Sequence, residues 1–289
     1  MVQLKNIFIR LFDFIIYGNV LIAICAAMST LSTAFILNNL INKNDLKLAL
    51  FVGAATFFLY NLHKPITYFL RKQFIDNQRF RKTKTFQTPL SILTVLAGIY
   101  CFYFFFKLAL NAQILLIGMA FLSLGYVLPI LGNGRRLRDL AYLKIFLIAI
   151  VWAAITVVFP LLDLNIPMRN TFVSQLFIER ACFIFALCIP FDIRDMDWDI
   201  KTNVKTIPLS IGVKNAKIMG ISALIIAILM VLFLKSKAIY SEIICIKSII
   251  IYLISILILI KTNKTYNDYF FYGLVDGMIL IQSLIIIFN

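Results

Sequence analysis

Nine apolar runs, each about long enough to cross a lipid bilayer, decide what this chain can fold into. They occupy 13–37, 46–63, 89–107, 110–131, 142–162, 171–191, 216–234, 238–260 and 268–288. A helix needs about 20 predominantly apolar residues to span the hydrocarbon core. In lipid the backbone must satisfy its own hydrogen bonds, so such runs become helices. A membrane β-barrel would instead show short segments of alternating polarity. The fold class is therefore all-α, a polytopic membrane helical bundle of about nine transmembrane helices in a single integral membrane domain over 1–289. Composition agrees: 62% of residues are hydrophobic and 14% charged, where a soluble domain carries about a quarter. The first run is too long for the apolar core of a signal peptide, and no small-residue cleavage site follows it. It is expected to remain as a span.

Charge placement sets the expected topology. Of 28 Lys and Arg residues, 20 lie in the N-terminal tail and in the connections after the second, fourth, sixth and eighth runs. Six lie in the alternate connections. The positive-inside rule puts the first group in the cytoplasm and, with nine spans, the C-terminus outside. The expected location is an inner membrane of bacterial type. Basic loops beside spans are ordinary topology signals, so the net charge of +15 is no argument for a nucleic-acid partner. The stretch 66–80 in the longest polar segment has helical periodicity and reads as a short helix at the membrane surface. The five cysteines all fall inside runs and lack metal-type spacing with histidine. They read as small hydrophobic residues.

One polar stretch interrupts this pattern: "PFDIRDMDWDIKTNVKTIPLSIG", Pro190 to Gly212. Four of the 13 acidic residues fall between 192 and 199. Asp192, Asp195 and Asp199 are spaced i, i+3, i+7 and share one face of a helix. Three carboxylates on one face at the end of a span repel one another and are costly to desolvate. A cation would neutralise them. Hard oxygen ligands suit Mg²⁺ or Ca²⁺, and Mg²⁺ binds through a few carboxylates plus substrate phosphates. Arg194, Lys201 and Lys205 add anion-binding charge nearby. The competing reading is a solvated charged loop between two spans.

"DIRDMDWDIKTNVKTIPLSIG" resembles the second aspartate-rich motif of the UbiA superfamily of membrane prenyltransferases, followed by that family's Thr-(Leu/Ile)-Pro…Gly stretch. "GYVLPILGNGRRLRDLAYLKIFLIAIVWA", Gly125 to Ala153, is similar to the family's Tyr/Pro-rich loop and the helix after it. The resemblance implies a helical bundle with a central cavity open to lipid. It implies a polyprenyl diphosphate bound through Mg²⁺ and a prenyl group transferred to a lipophilic acceptor, whose identity the motifs leave open. Asp192, Asp195 and Asp199 would be the metal ligands. Arg135, Arg136, Lys144, Lys205 and Asn61 would contact the diphosphate.

The chain departs from the family at its first motif, Asn-x-x-x-Asp-x-x-x-Asp. Asn61 fits the asparagine, but the next two positions are Pro65 and Phe69, and Asp76 lies too far along. His63, Lys64, Arg71 and Lys72 stand there instead. Lys64 and its neighbours would replace one metal ion by cationic side chains, or would mark a member that binds an isoprenoid diphosphate lipid without transferring it. His63 reads as interfacial or capping. Glu179, Arg180, Glu242, Lys247 and Asp276 fall within apolar runs and are functional candidates by position, Asp276 foremost. They keep a small-solute transporter open as a further alternative.

Overall fold

The computed structural model describes residues 2–38, 40–70, 78–128, 136–137, 140, 142–165, 171–202 and 204–288, with side chains at 2–6, 38, 63–70, 78–81, 127 and 171 excluded. Every regular element among them is helical. In order these are α1 (Val2–Tyr17), α2 (Val20–Asn38), α3 (Lys43–Leu70), α4 (Gln78–Thr85), α5 (Gln87–Phe105), α6 (Leu110–Val127), α7 (Leu143–Ala153), α8 (Phe159–Asp163), α9 (Thr171–Lys201), α10 (Ile207–Ser236), α11 (Glu242–Lys261) and α12 (Gly277–Ile287). A π-helical stretch, Ala154–Val158, joins α7 to α8 into one rod, and a second, Phe270–Val275, leads into α12. Among the described residues, eight helical segments are long and apolar enough to cross a membrane, and Leu110–Tyr126 is a shorter ninth. The protein is thus an integral membrane helical bundle.

Two departures from the apolar runs bear on the site. The first run breaks after Tyr17, because Asn19 is left-handed (φ 61), a conformation asparagine tolerates. Gly18 is required there, since a Cβ would lie 2.2 Å from the carbonyl oxygen of Phe14. The sixth run continues as helix to Lys201, so the aspartates are helical and the loop reading of that stretch is corrected. At 1.5 Å per residue α9 is about 46 Å long, more than the roughly 30 Å hydrocarbon core. Its last turns therefore reach the membrane edge. Of the stretch expected as a surface helix, α3 takes the start and α4 the end, and 71–77 lie outside the described residues.

The core is built around α9, which packs chiefly on α10 and α7. Helix α2 packs on α3 and α12, and α5 lies outside α3. At Gly220 of α10 a Cβ would meet Leu259 Cδ2 at 2.7 Å and Ile189 Cγ1 at 3.3 Å. Small residues permit such close helix approach in lipid. On α5, Ile92, Val95, Leu96, Ile99 and Phe102 are all exposed, at the spacing of one helix face. Leu90 alone is buried on that helix, so α5 presents a lipid-facing wall.

A second polar centre lies deep in the bundle, about 20 Å along α9 from Asp192. Glu179 and Arg180 are both fully buried. Arg180 Nη1 donates to the Ser29 carbonyl (3.3 Å) and Thr156 Oγ1 (3.4 Å), and Nη2 donates to Ser32 Oγ (3.5 Å). Glu179 accepts from the Tyr252 hydroxyl and from Gln282 Nε2 (3.1 Å). Arg180 Nε lies 3.9 Å from Glu179 Oε2. The pair ties α2, α9, α11, α12 and the first π stretch together where water cannot compete. Arg180→Met leaves an uncompensated buried carboxylate and is expected to cost about 3–5 kcal/mol, read as a lowered unfolding midpoint in detergent. The double variant Glu179→Gln/Arg180→Met should recover part of that loss; a midpoint unchanged in Arg180→Met would show that the pair does not hold the helices.

Candidate functional site

The aspartate-bearing end of α9 is aimed by two proline-linked features. Pro190 lies inside the helix, where it removes one intrahelical N–H two residues before Asp192. Beyond Lys201 the chain turns, and the Val204 N–H returns to the Asp199 carbonyl at 2.9 Å. Thr206, in extended conformation, then starts α10, with Pro208 in its first turn, where a missing N–H costs nothing. Gly212, at φ 82 and ψ 155, breaks α10 one turn later, a backbone only glycine adopts freely. These are the roles of Thr, Pro and Gly in the quoted motif.

Helix α7 brings the counter-charge. Tyr142 is left-handed (φ 65) and its N–H bonds the Lys205 carbonyl at 3.2 Å. A left-handed tyrosine costs of order 1–3 kcal/mol, and here it docks the start of α7 on the α9–α10 connection. Two residues on, Lys144 Nζ lies 2.6 Å from Asp192 Oδ1 and 3.9 Å from Asp199 Oδ2. Both carboxylates are 1% exposed. Among the described residues, the Lys144 ammonium thus lies within ion-pair distance of both buried carboxylates, i and i+7 on one helix face.

Asp195 does not join them. Its carboxylate accepts from Arg194 Nε (2.8 Å) and Nη2 (3.1 Å), and Arg194 Nη1 stands 3.8 Å from Asp268. The guanidinium is enclosed by Phe191, Phe271 and Tyr272, with ring centroids 4.9, 5.1 and 4.9 Å away, a cation–π cage. Asp197 pairs on the surface with Lys264 at 3.2 Å. Among the described residues no three carboxylate, histidine or cysteine side chains gather in a metal-ligating group.

The other candidates divide. Asp276, where the second π stretch meets α12, lies within the field of the Arg194 guanidinium, and its backbone carbonyl accepts from Cys25 Sγ at 3.4 Å. Arg136 is 3% exposed. Lys205 has an exposed side chain and contributes its carbonyl. Asn61 is a staple: Nδ2 donates to the carbonyls of Gly18 and Phe57, both at 3.0 Å, and Oδ1 accepts from Asn19 at 3.1 Å. Arg135 lies outside the described residues, and of Lys64 only the helical backbone is described. Glu242, expected inside a span, is instead exposed in the first turn of α11 and pairs with Lys235 at 3.3 Å.

A cluster not flagged by the sequence completes this end of the bundle. Lys82 of α4 donates to Asp13 (3.1 Å) and to the Tyr269 hydroxyl (2.9 Å), over the rings of Tyr17 and Tyr269. Burial, then the carboxylate of Asp268, pushes the Tyr17 hydroxyl up to about 12. Asp13 sits within an apolar run and carries no spacing signal, so only the tertiary structure reveals it. With the contacts of Lys264 and of Tyr142, this cluster draws the basic segments to one end of the molecule.

No protein-family model matches the sequence, and no curated protein matches it in sequence. The fold does have solved counterparts. The chain is similar to a digeranylgeranylglyceryl phosphate synthase, with 16% identity and a TM-score of 0.60 over 96% of this chain and 98% of that one. It is also similar to a UbiA homologue from Archaeoglobus fulgidus solved with GPP and Mg²⁺, with 10% identity and a TM-score of 0.62 over 96% and 100% of the chains. The architecture is therefore that of UbiA homologues over nearly the whole chain.

Asn61→Ala strands the Gly18 carbonyl and the Asn19 amide. It is expected to destabilise the ligand-free protein by about 1–3 kcal/mol in a detergent unfolding assay. A side chain serving ligand alone would leave that midpoint unmoved.

Proposed function

We propose that the protein is a member of the UbiA superfamily that binds an isoprenoid diphosphate at the Lys144–Asp192–Asp199 cluster and transfers its prenyl group to a lipophilic acceptor. The observation that carries this reading is the buried pair of carboxylates bridged by one ammonium at the end of α9, in a fold shared with a protein solved with GPP and Mg²⁺. The basic segments gathered at that end favour a cytoplasmic orientation for it, with the N-terminus inside, the C-terminus outside and an inner membrane of bacterial type as the setting.

The donor set fits one Mg²⁺. Asp192 and Asp199 offer hard oxygens around a point where a cation already sits, and Mg²⁺ takes one or two carboxylates, with waters and substrate phosphates completing its shell. When bound, the metal would neutralise charge on the departing diphosphate. The chain's own part is positioning and electrostatics. Asp192 and Asp199 hold cationic charge at a fixed point on α9. Lys144, and Arg136 close by in sequence, supply positive charge for the diphosphate oxygens. Arg194 is locked by Asp195 and the aromatic cage, so it fixes the α9 end against the second π stretch. In this reading Asp195 is a positioning residue.

A second reading has its own support. Pro65 and Phe69 stand where the family's first motif carries carboxylates, Asn61 is taken up by backbone carbonyls and Asp195 by Arg194. That arrangement suits a member that binds isoprenoid diphosphates without turnover. The two readings separate in one assay, Mg²⁺-dependent pyrophosphate release from geranyl, farnesyl and geranylgeranyl diphosphate by the purified full chain, with a total membrane-lipid extract supplying the acceptor. Transfer predicts release that falls about 100-fold or more in Asp192→Asn, with a smaller loss in Asp195→Asn. Binding of these diphosphates without release supports the second reading, and neither binding nor release would exclude both.

A further inference from the structure

The Lys144 ammonium occupies the position that a divalent cation would take. It lies 2.6 Å from Asp192 Oδ1 and 3.9 Å from Asp199 Oδ2, and both carboxylates are buried. A Mg²⁺ on Asp192 Oδ1 would sit at about 2.0–2.1 Å. An ammonium on the same oxygen would then be pressed against a doubly charged ion in a poorly screened site, where like charges repel strongly. The two cations are therefore close to mutually exclusive at that oxygen. Lysine is suited to leave: its charge is a point on a flexible four-carbon stem, whereas arginine would grip the pair with a fixed fork. Lys144 starts from the second residue of α7, with its side chain 12% exposed, so part of it reaches the surface beside the site.

We propose, on the basis of the diphosphate-binding reading above, that Lys144 is an exchangeable counter-ion that couples metal binding to diphosphate binding. In the ligand-free protein it neutralises Asp192 and Asp199 and keeps metal affinity low. An arriving diphosphate offers the ammonium a more highly charged partner, and Lys144 moves from the carboxylates to the phosphate oxygens. The divalent cation enters on those oxygens as the ammonium departs. By linkage each ligand strengthens the other by the same factor. The membrane-edge carboxylates are never left without a cation at any stage, which their burial demands.

The test is Mn²⁺ binding to the purified full chain, followed by the electron paramagnetic resonance of free Mn²⁺, with and without inorganic pyrophosphate. Lys144→Met is expected to bind Mn²⁺ alone about tenfold or more tightly than wild type, because removing 1.4 kcal/mol of competition is a factor of ten. Its gain on adding pyrophosphate should be smaller than the wild-type gain. Lys144→Arg keeps the charge and the fold but holds the carboxylates with a fork, and should bind Mn²⁺ more weakly than wild type. Lys237→Met, at the far end of α10, should match wild type. Equal Mn²⁺ affinity in wild type and Lys144→Arg, or no tightening in a folded Lys144→Met, overturns the exchange while leaving the site reading intact. Absence of Mn²⁺ binding by every form, with or without pyrophosphate, overturns the site reading together with the exchange.

Discussion

A carboxylate at the end of a membrane helix has to be matched by a cation, and much of the architecture at one end of this bundle follows from that demand. Asp192 and Asp199 are buried on α9, so a positive charge must reach them from another element. Lys144 does so only because α7 starts beside the α9–α10 connection, and α7 starts there because Tyr142 adopts a left-handed turn and bonds the Lys205 carbonyl. The connection is shaped by Thr206, Pro208 and the break at Gly212. A single electrostatic requirement thus recruits three helices and one strained residue.

Helix α9 meets the same demand twice. Glu179 and Arg180 are adjacent in sequence and nearly self-neutralising, yet each also reaches other helices: Arg180 to α2 and the first π stretch, Glu179 to α11 and α12. The two centres differ in kind. The deep one is fully buried and bonded to four other elements. The one at the membrane edge uses a lysine that partly reaches the surface. Stability is concentrated in the first and adaptability in the second, and α9 connects them as one continuous helix.

The helical spans were legible because their signal is one-dimensional: length and apolarity fix where a helix can cross. The aspartate spacing was legible for the same reason, since i and i+7 share a face whatever the neighbours are. Partners were not. Lys144 is 48 residues from Asp192 in sequence and was expected at the diphosphate, not on a carboxylate. Asp195 has the same local spacing as its neighbours but is captured by the residue beside it, a competition that spacing cannot resolve. Asn61 matched a family position, yet its amide is consumed by the carbonyl exposed where α1 breaks from α2. That break rests on one glycine and one left-handed asparagine inside an unbroken apolar run, where hydropathy is blind.

The π-helical stretch at Phe270–Val275 carries a consequence for how this chain tolerates change. A π turn holds one residue more than an α turn, and one residue of α-helix is a rotation of about 100°. The facing of α12 is therefore set by that surplus residue. As built, Met278, Ile279, Gln282, Ser283 and Ile286 all point inward, and Gln282 meets Glu179. If those six residues relaxed to ordinary α geometry at unchanged length, the whole of α12 would turn by about 100°, and Gln282 would swing out of the core. If one residue were lost as the turn relaxed, the two changes would cancel and α12 would keep its facing. The π turn thus absorbs one residue of chain length without disturbing the helix it leads into, as a slack link leaves the rest of a chain in register.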